Sequence, residues 1–249
     1  MLSFGLLFGA CGGGGDDSSD DAADEAESPG RRDVDDGDSN TLPEGSTWAA
    51  TAKSELAEVS IYDTADASEA ASTLPNPDPN GTPLVFLVDG ADASGERIPV
   101  FLPIPPNGTK GWVNASDVDL LVNPYRITVE VAAHRLTVTD GGEVTVDTEV
   151  AVGQDGRETP TGQYYVKELL QPPDPNGVYG PYAYGISGFT NNPEVAEEFG
   201  GGGVIGIHGT NDPDALGTDV SSGCIRMAND VITEMVDYLP LGTPVEIVA

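Results

Sequence analysis

The 249-residue sequence predicts a mainly β protein, and three observations carry the prediction. Glycine and proline number 32 and 20, which suits short strands joined by many turns better than a helical bundle. Apolar and polar residues alternate over short runs, RITVEV at 126–131 and LTVTD from Leu136, the period of a strand with one buried face. Turn residues such as Gly141-Gly142 divide these runs at hairpin spacing.

Taken in order, residues 1–11 read as a targeting segment. An apolar or small run at 2–10, too short to span a bilayer, leads directly into Cys11. Leu7, Phe8, Gly9, Ala10 and Cys11 resemble the end of a bacterial lipoprotein signal, which implies that Cys11 is lipidated and becomes the new N-terminus. No Lys or Arg precedes the run, as a secretory signal should have; an ordinary cleaved signal with an incidental cysteine is the alternative. Residues 12–45 turn to Gly, Ser, Asp and Glu, and eleven acids stand against Arg31 and Arg32 between 12 and 40. Such a segment buries too little apolar surface to repay its ordering entropy, so it is expected to be an acidic disordered tether stretched by like charge. The formal charge of -32, from 10 Lys plus Arg against 42 Asp plus Glu, argues against nucleic acid as a partner.

A first folded unit is expected over 46–122. Its strand candidates, 57–62, 84–88, 98–102 and 111–113, are short and separated by turns such as NPDPNGTP at 76–83. The closing run GWVNASDVDL at 111–120 resembles the last turn of bacterial SH3-like wall-binding modules, which implies a small SH3-like β-barrel. Trp112 reads first as a core or turn aromatic and second as a ligand platform.

The second unit runs from Asn123-Pro124 to residue 249. EVTVDTEVAV at 143–152 and TPTGQYYV at 159–166 supply further strands, the latter entered through a Pro/Gly turn. Residues 171–203 hold Tyr179, Tyr182, Tyr184 and Phe189 but show no clear period. Two readings stand level: a folded flap over a site, hinged on the glycines at 200–203, or an aromatic cluster packed on the sheet. VIGI at 204–207 is a short buried strand. Val231, Ile232, Met235, Val236 and Leu239 recur at helical spacing, with Asn229 as the N-cap and Gly242 past the end, and PVEIV at 244–248 closes the sheet. His134, with no acid, Ser or Cys beside it in sequence, reads as a surface residue.

Chemistry concentrates between Gly203 and Asn229. His208, one of two histidines, precedes Gly209, and Cys224, one of two cysteines, follows Ser221, Ser222 and Gly223. Small neighbours let backbone and solvent approach both side chains. With Cys11 lipidated or removed, Cys224 has no disulfide partner in the chain, and a lone extracellular thiol in a Gly/Ser loop points to reactivity. An unperturbed thiol is only slightly ionised at neutral pH, and a neighbouring imidazole such as His208 is expected to lower its pKa through an ion pair. One His and one Cys cannot build a closed zinc site, so neither metal nor cofactor is expected. His before Cys departs from the order of papain-like enzymes, and Arg226, two residues past Cys224, departs from sortases.

IHGTND at 207–212, SSGCIRM at 221–227 and TPTG at 159–162 resemble the L,D-transpeptidase catalytic domain, also called the YkuD domain, over residues 123–249. That family carries a His-Gly step, a variable loop, then Ser-His-Gly-Cys followed by an apolar residue and usually Arg; Ser222 stands where the family usually has His. The resemblance implies a β-sandwich with one or two short helices. It implies Cys224 as nucleophile, His208 as base and the Gly209 carbonyl as orienter of the imidazole, with Ser221, Ser222, Gly223, Arg226 and Tyr182 serving substrate or oxyanion. The implied partners are peptidoglycan stem peptides and, as inhibitors, carbapenem-type β-lactams, with the membrane reached only through a lipid anchor in the cell envelope. The implied reaction cross-links tetrapeptide stems through a thioester with release of D-alanine. Water as acceptor, giving an L,D-carboxypeptidase, and an inactive wall-binding protein are the alternatives.

Overall fold

A computed structural model of the chain describes residues 42–199 and 202–249. The leader with Cys11, the tether up to residue 41, and Gly200 and Gly201 of the expected hinge lie outside the described residues. Among them the protein is mainly β, with two short helices.

Seven strands make the N-terminal unit: β1 (Thr47–Ala52), β2 (Glu58–Ile61), β3 (Ser72–Pro75), β4 (Val85–Leu87), β5 (Arg97–Phe101), β6 (Lys110–Asn114) and β7 (Val118–Asn123). β1 lies between β4 and β7, while β2–β3 and β5–β6 are antiparallel pairs. Single bridges, Tyr62 to Trp112 and Val88 to Val100, link these ladders around a core that includes Val59, Phe86, Ile98, Val100 and Val113. Four strands, β2, β4, β5 and β6, lie where the turn-bounded runs predict them. β1, β3 and β7 do not announce themselves, because TWAATA buries Ala49 and Ala50 in succession and STLP buries nothing.

The C-terminal unit follows with β8 (Tyr125–Glu130), β9 (Arg135–Asp140), β10 (Glu143–Glu149), β11 (Val152–Gly153), β12 (Gly162–Leu170), β13 (Ala183–Phe189), α1 (Pro193–Phe199), β14 (Val204–His208), β15 (Asp219–Ser221), β16 (Ile225–Arg226), α2 (Asn229–Val236) and β17 (Pro244–Val248). The main sheet runs β10-β9-β8-β17-β12-β13-β14-β16. β12 is shared between its halves: Gly162–Tyr165 pairs with β17, and Val166–Leu170 pairs with β13. The pairing is irregular between Val166 and Glu168, and the sheet folds across this strand. Ile127, Val129, Leu136 and Val138 of one half therefore share a core with Ile186, Ile205 and Ile207 of the other, and α2 adds Ile232 and Met235.

Two expectations are corrected. The aperiodic stretch 171–203 contains a central strand, β13, and the helix α1; AYGISGF is buried on both faces apart from its first residue, so it has no polar alternation to read. PVEIV forms β17 as expected and lies inside the sheet, parallel to β8 and antiparallel to β12. Asn229 is the first residue of α2 and not its cap; Ala228 stands at the N-cap without a side-chain bond.

The N-terminal unit is held against this sheet by directed contacts. Asn107 donates to the Phe189 carbonyl at 2.8 Å and accepts the Phe189 N–H at 2.8 Å, pairing one β13 residue as a strand would. Leu87 and Phe101 bury against Tyr165, and Asn123 donates to Thr243 Oγ1 at 3.0 Å.

Candidate active site

Strand alternation puts the candidate reacting groups on one face. In β14, Ile205 and Ile207 enter the core, so Gly206 and His208 face the other way. β16 pairs in parallel with β14, Ile207 opposite Ile225 and His208 opposite Arg226, which brings Cys224 beside Gly206. The Gly206 N–H points at Cys224 Sγ at 3.4 Å. A Cβ at Gly206 would lie 3.7 Å from His208 Cδ2 and 3.9 Å from Cys224 Sγ, so both side chains flank a position with no side chain of its own.

His208 is 4% exposed, and its Nδ1 lies 2.6 Å from the Gly209 carbonyl oxygen. A carbonyl only accepts, so Nδ1 carries the proton and Nε2 keeps the lone pair. The carbonyl is fixed in turn: Gly209 donates to the Tyr182 carbonyl at 3.2 Å, and a side chain on Gly209 would collide with Asn229 Oδ1. That oxygen accepts the Thr210 N–H at 2.8 Å, which is what Asn229 does in place of capping α2. Tyr179 sets its ring edge-on to the imidazole, centroids 4.9 Å apart.

The turn before Cys224 is closed by buried hydroxyls. Ser221 Oγ donates to the Cys224 carbonyl at 2.6 Å and accepts the Gly223 N–H at 3.0 Å. Gly223 has φ +116°, a conformation open to glycine, and sits against Ile205. Thr159, the first threonine of TPTG, donates to the Gly223 carbonyl at 2.9 Å while accepting the Gly153 N–H at 2.9 Å. Arg157 Nη1 donates to Ser222 Oγ at 2.9 Å and pairs with Glu198 of α1 at 2.9 Å.

Electrostatics correct the expected ion pair. Burial, reinforced by the Arg226 charge and opposed by the hydrogen bond to Gly209, pulls His208 down to about 4. Burial pushes the Cys224 thiol up, against the Gly206 N–H and Arg226, which favour the thiolate. Both groups are thus neutral at rest near pH 7.

His208, Cys224, Ser221, Ser222 and Arg226 line one cavity of ≈ 820 Å³. A second cavity of ≈ 810 Å³, lined by Glu158, Thr161, Asn192 and Glu194 among others, holds neither His208 nor Cys224. Residues 171–173 with Val178 and Tyr179 form part of the wall of this His208/Cys224 cavity. Gly209 and Gly223 act from behind the wall through their backbones. Tyr182 packs against the core with its carbonyl on Gly209, and Tyr179 occupies the cavity side. His134 stands apart in the turn after β8, its Nε2 2.7 Å from Asp219 Oδ1, an acid 85 residues distant that sequence adjacency does not reveal. Gly206, Tyr179, Arg157 and Asn229 escape a reading by residue type, while Thr159 is marked only by TPTG.

The family model for the L,D-transpeptidase catalytic domain, YkuD, matches residues 124–247. YkuD of Bacillus subtilis, which carries the L,D-transpeptidase name, is 35% identical over 124 residues, 50% of this chain and 66% of that protein. YqjB of the same organism, also so named, is 32% identical over 133 residues, 49% of this chain and 70% of that protein. The chain spans just under two thirds of YkuD's length. Among solved structures, the L,D-transpeptidase LdtMt1 in complex with imipenem aligns at TM-score 0.40 and 18% identity, over 61% of this chain and 91% of that one. With the family model over residues 124–247 and a 32% identical relative covered over 70% of its length, the chain belongs to the YkuD family of L,D-transpeptidase catalytic domains.

Proposed function

We propose that the chain is a peptidoglycan L,D-transpeptidase in which Cys224 attacks the carbonyl of the third residue of a tetrapeptide stem, a diamino acid, and expels the terminal D-alanine. The observation that carries this reading is the imidazole beside the thiol, its Nδ1–H committed to Gly209 at 2.6 Å and its Nε2 left as the base. Because both groups rest neutral, His208 takes the thiol proton as sulfur attacks and not beforehand. The same proton then passes to the departing D-alanine amine. The Gly223 N–H is engaged by Ser221, so the oxyanion falls to the Cys224 N–H, and the Gly206 N–H steadies the sulfur whenever it bears charge. The side-chain amine of a neighbouring stem's third residue then takes the thioester, restoring the thiol. We propose further that Cys11 is lipidated and anchors the protein in the cell envelope, and that the N-terminal unit is an SH3-like wall-binding module.

Intact-mass spectrometry with a carbapenem tests the acyl-enzyme. Wild type should gain one adduct, and Cys224→Ala and His208→Ala should gain none. An unchanged adduct on Cys224→Ala overturns the assignment, and a folded wild type without adduct favours an inactive wall-binding protein. With disaccharide tetrapeptide, D-alanine release without cross-linked dimer identifies water as the acceptor. Cys11→Ser should move the full chain from membranes to the soluble fraction.

A further inference from the structure

Acyl transfer through Cys224 and His208 leaves one buried acid among the described residues unused. Glu168 is 3% exposed and lines the same cavity as Cys224. Its Oε1 is paired with Lys167 Nζ, and its Oε2 accepts from Asn80 Nδ2 at 2.6 Å. Asn80, an exposed residue of the 76–83 turn of the N-terminal unit, also lines the cavity, so that unit completes this end of the site.

Register sets the distance from Glu168 to the thiol. Glu168 pairs with Gly185, Gly185 pairs with Gly206, and Gly206 lies beside Cys224. All four line the cavity, and the two glycines leave a floor without side chains between acid and nucleophile. A Cβ on Gly185 would lie 2.5 Å from Glu168 Oε1, so the carboxylate rests flat over Gly185. Neighbouring strands are about 4.8 Å apart, which puts the carboxylate about two spacings, on the order of 10 Å, from the sulfur.

We propose that Glu168, positioned by Lys167 and by Asn80 of the N-terminal unit, is the subsite for a primary ammonium group at the end of the acyl donor's third side chain. The proposal rests on the acyl-enzyme reading above. An amine about six bonds from the attacked carbonyl reaches on the order of 7 Å when extended, and the sulfur–carbon bond covers the remainder. Each carboxylate oxygen has two lone pairs, so both keep an acceptor site after Lys167 and Asn80 are served. A donor with a neutral end forgoes a charge-assisted hydrogen bond to that desolvated carboxylate, a larger loss than that of an exposed contact.

The test is single-turnover acylation of the full chain by two synthetic tetrapeptides, one with a free side-chain amine at the third residue and one with that amine acetylated. Release of D-alanine is the readout, since no acceptor is needed for it. Wild type should prefer the free amine by at least about tenfold, and Glu168→Gln should bring the two donors within about twofold. Asn80→Ala, at an exposed position, should narrow the preference by about threefold or more without unfolding the protein. Carbapenem adduct formation should persist in both variants. A preference retained in Glu168→Gln, or none in wild type that still forms the adduct, overturns the subsite alone. A folded wild type with no adduct removes the acyl-enzyme reading and this subsite with it.

Discussion

Thr159→Val changes the shape of a buried side chain little and deletes its hydroxyl. Thr159 is 3% exposed, and its Oγ1 joins the Gly153 N–H to the Gly223 carbonyl with two bonds of 2.9 Å. Valine leaves one buried donor and one buried acceptor unpaired, each costing about 1–3 kcal/mol, or roughly 2–4 kcal/mol together once the carbonyl relaxes. In a folded body of this size that lowers Tm by roughly 5–12 °C. The freed carbonyl belongs to the residue before Cys224, so the sulfur also loses its fixed position, and a displacement near 1 Å slows acylation by up to about a hundredfold. Thr159→Ser keeps the hydroxyl, loses about 1 kcal/mol for a buried methyl and should keep nearly the wild-type rate. Thermal unfolding by circular dichroism and the rate of carbapenem adduct formation read the two effects separately. A valine variant melting within about 2 °C of wild type and acylating at its rate would refute the clamp.

The low pKa of His208 makes two effects of pH opposite to those of a surface histidine. The imidazole stays a base down to about 4, so adduct formation should hold its rate as pH falls from 7 and drop only through about 4; a fall centred near 6.5 contradicts the burial argument. Between 6.5 and 4 the unfolded chain binds a proton that the folded one refuses. Stability attributable to His208 is therefore full above pH 6.5 and falls as pH drops toward 4, by roughly 3 kcal/mol; denaturant unfolding of His208→Gln should lack this slope. Gly206→Ala places a methyl in ordinary contact with imidazole and thiol, so it should melt within about 3 °C of wild type yet slow the adduct roughly tenfold. An unslowed rate would show that the floor between the two side chains is not used. Ser222→His restores the usual family residue beside Arg157, and dimer yield from disaccharide tetrapeptide should change within about tenfold, since His208 alone serves both proton transfers. Ample dimer from the variant and none from wild type would sink the single-histidine mechanism.

The sequence by itself determined the class of fold, most strand positions in both units, and the family through HGTND, SSGCIR and TPTG. Those signals are local: a two-residue period, turn residues, and small residues around a thiol and an imidazole. Only tertiary structure decided the rest. It placed β17 inside the sheet and made a strand of 183–189, whose near-uniform burial carries no alternation. It turned Asn229 from a presumed cap into the wall behind Gly209. It joined Asn80 to Glu168 across 88 residues and His134 to Asp219 across 85. It also reversed the expected ion pair, because the charge state of His208 and Cys224 depends on how much water each retains, and desolvation is a property of the packed core that no neighbour in the chain encodes.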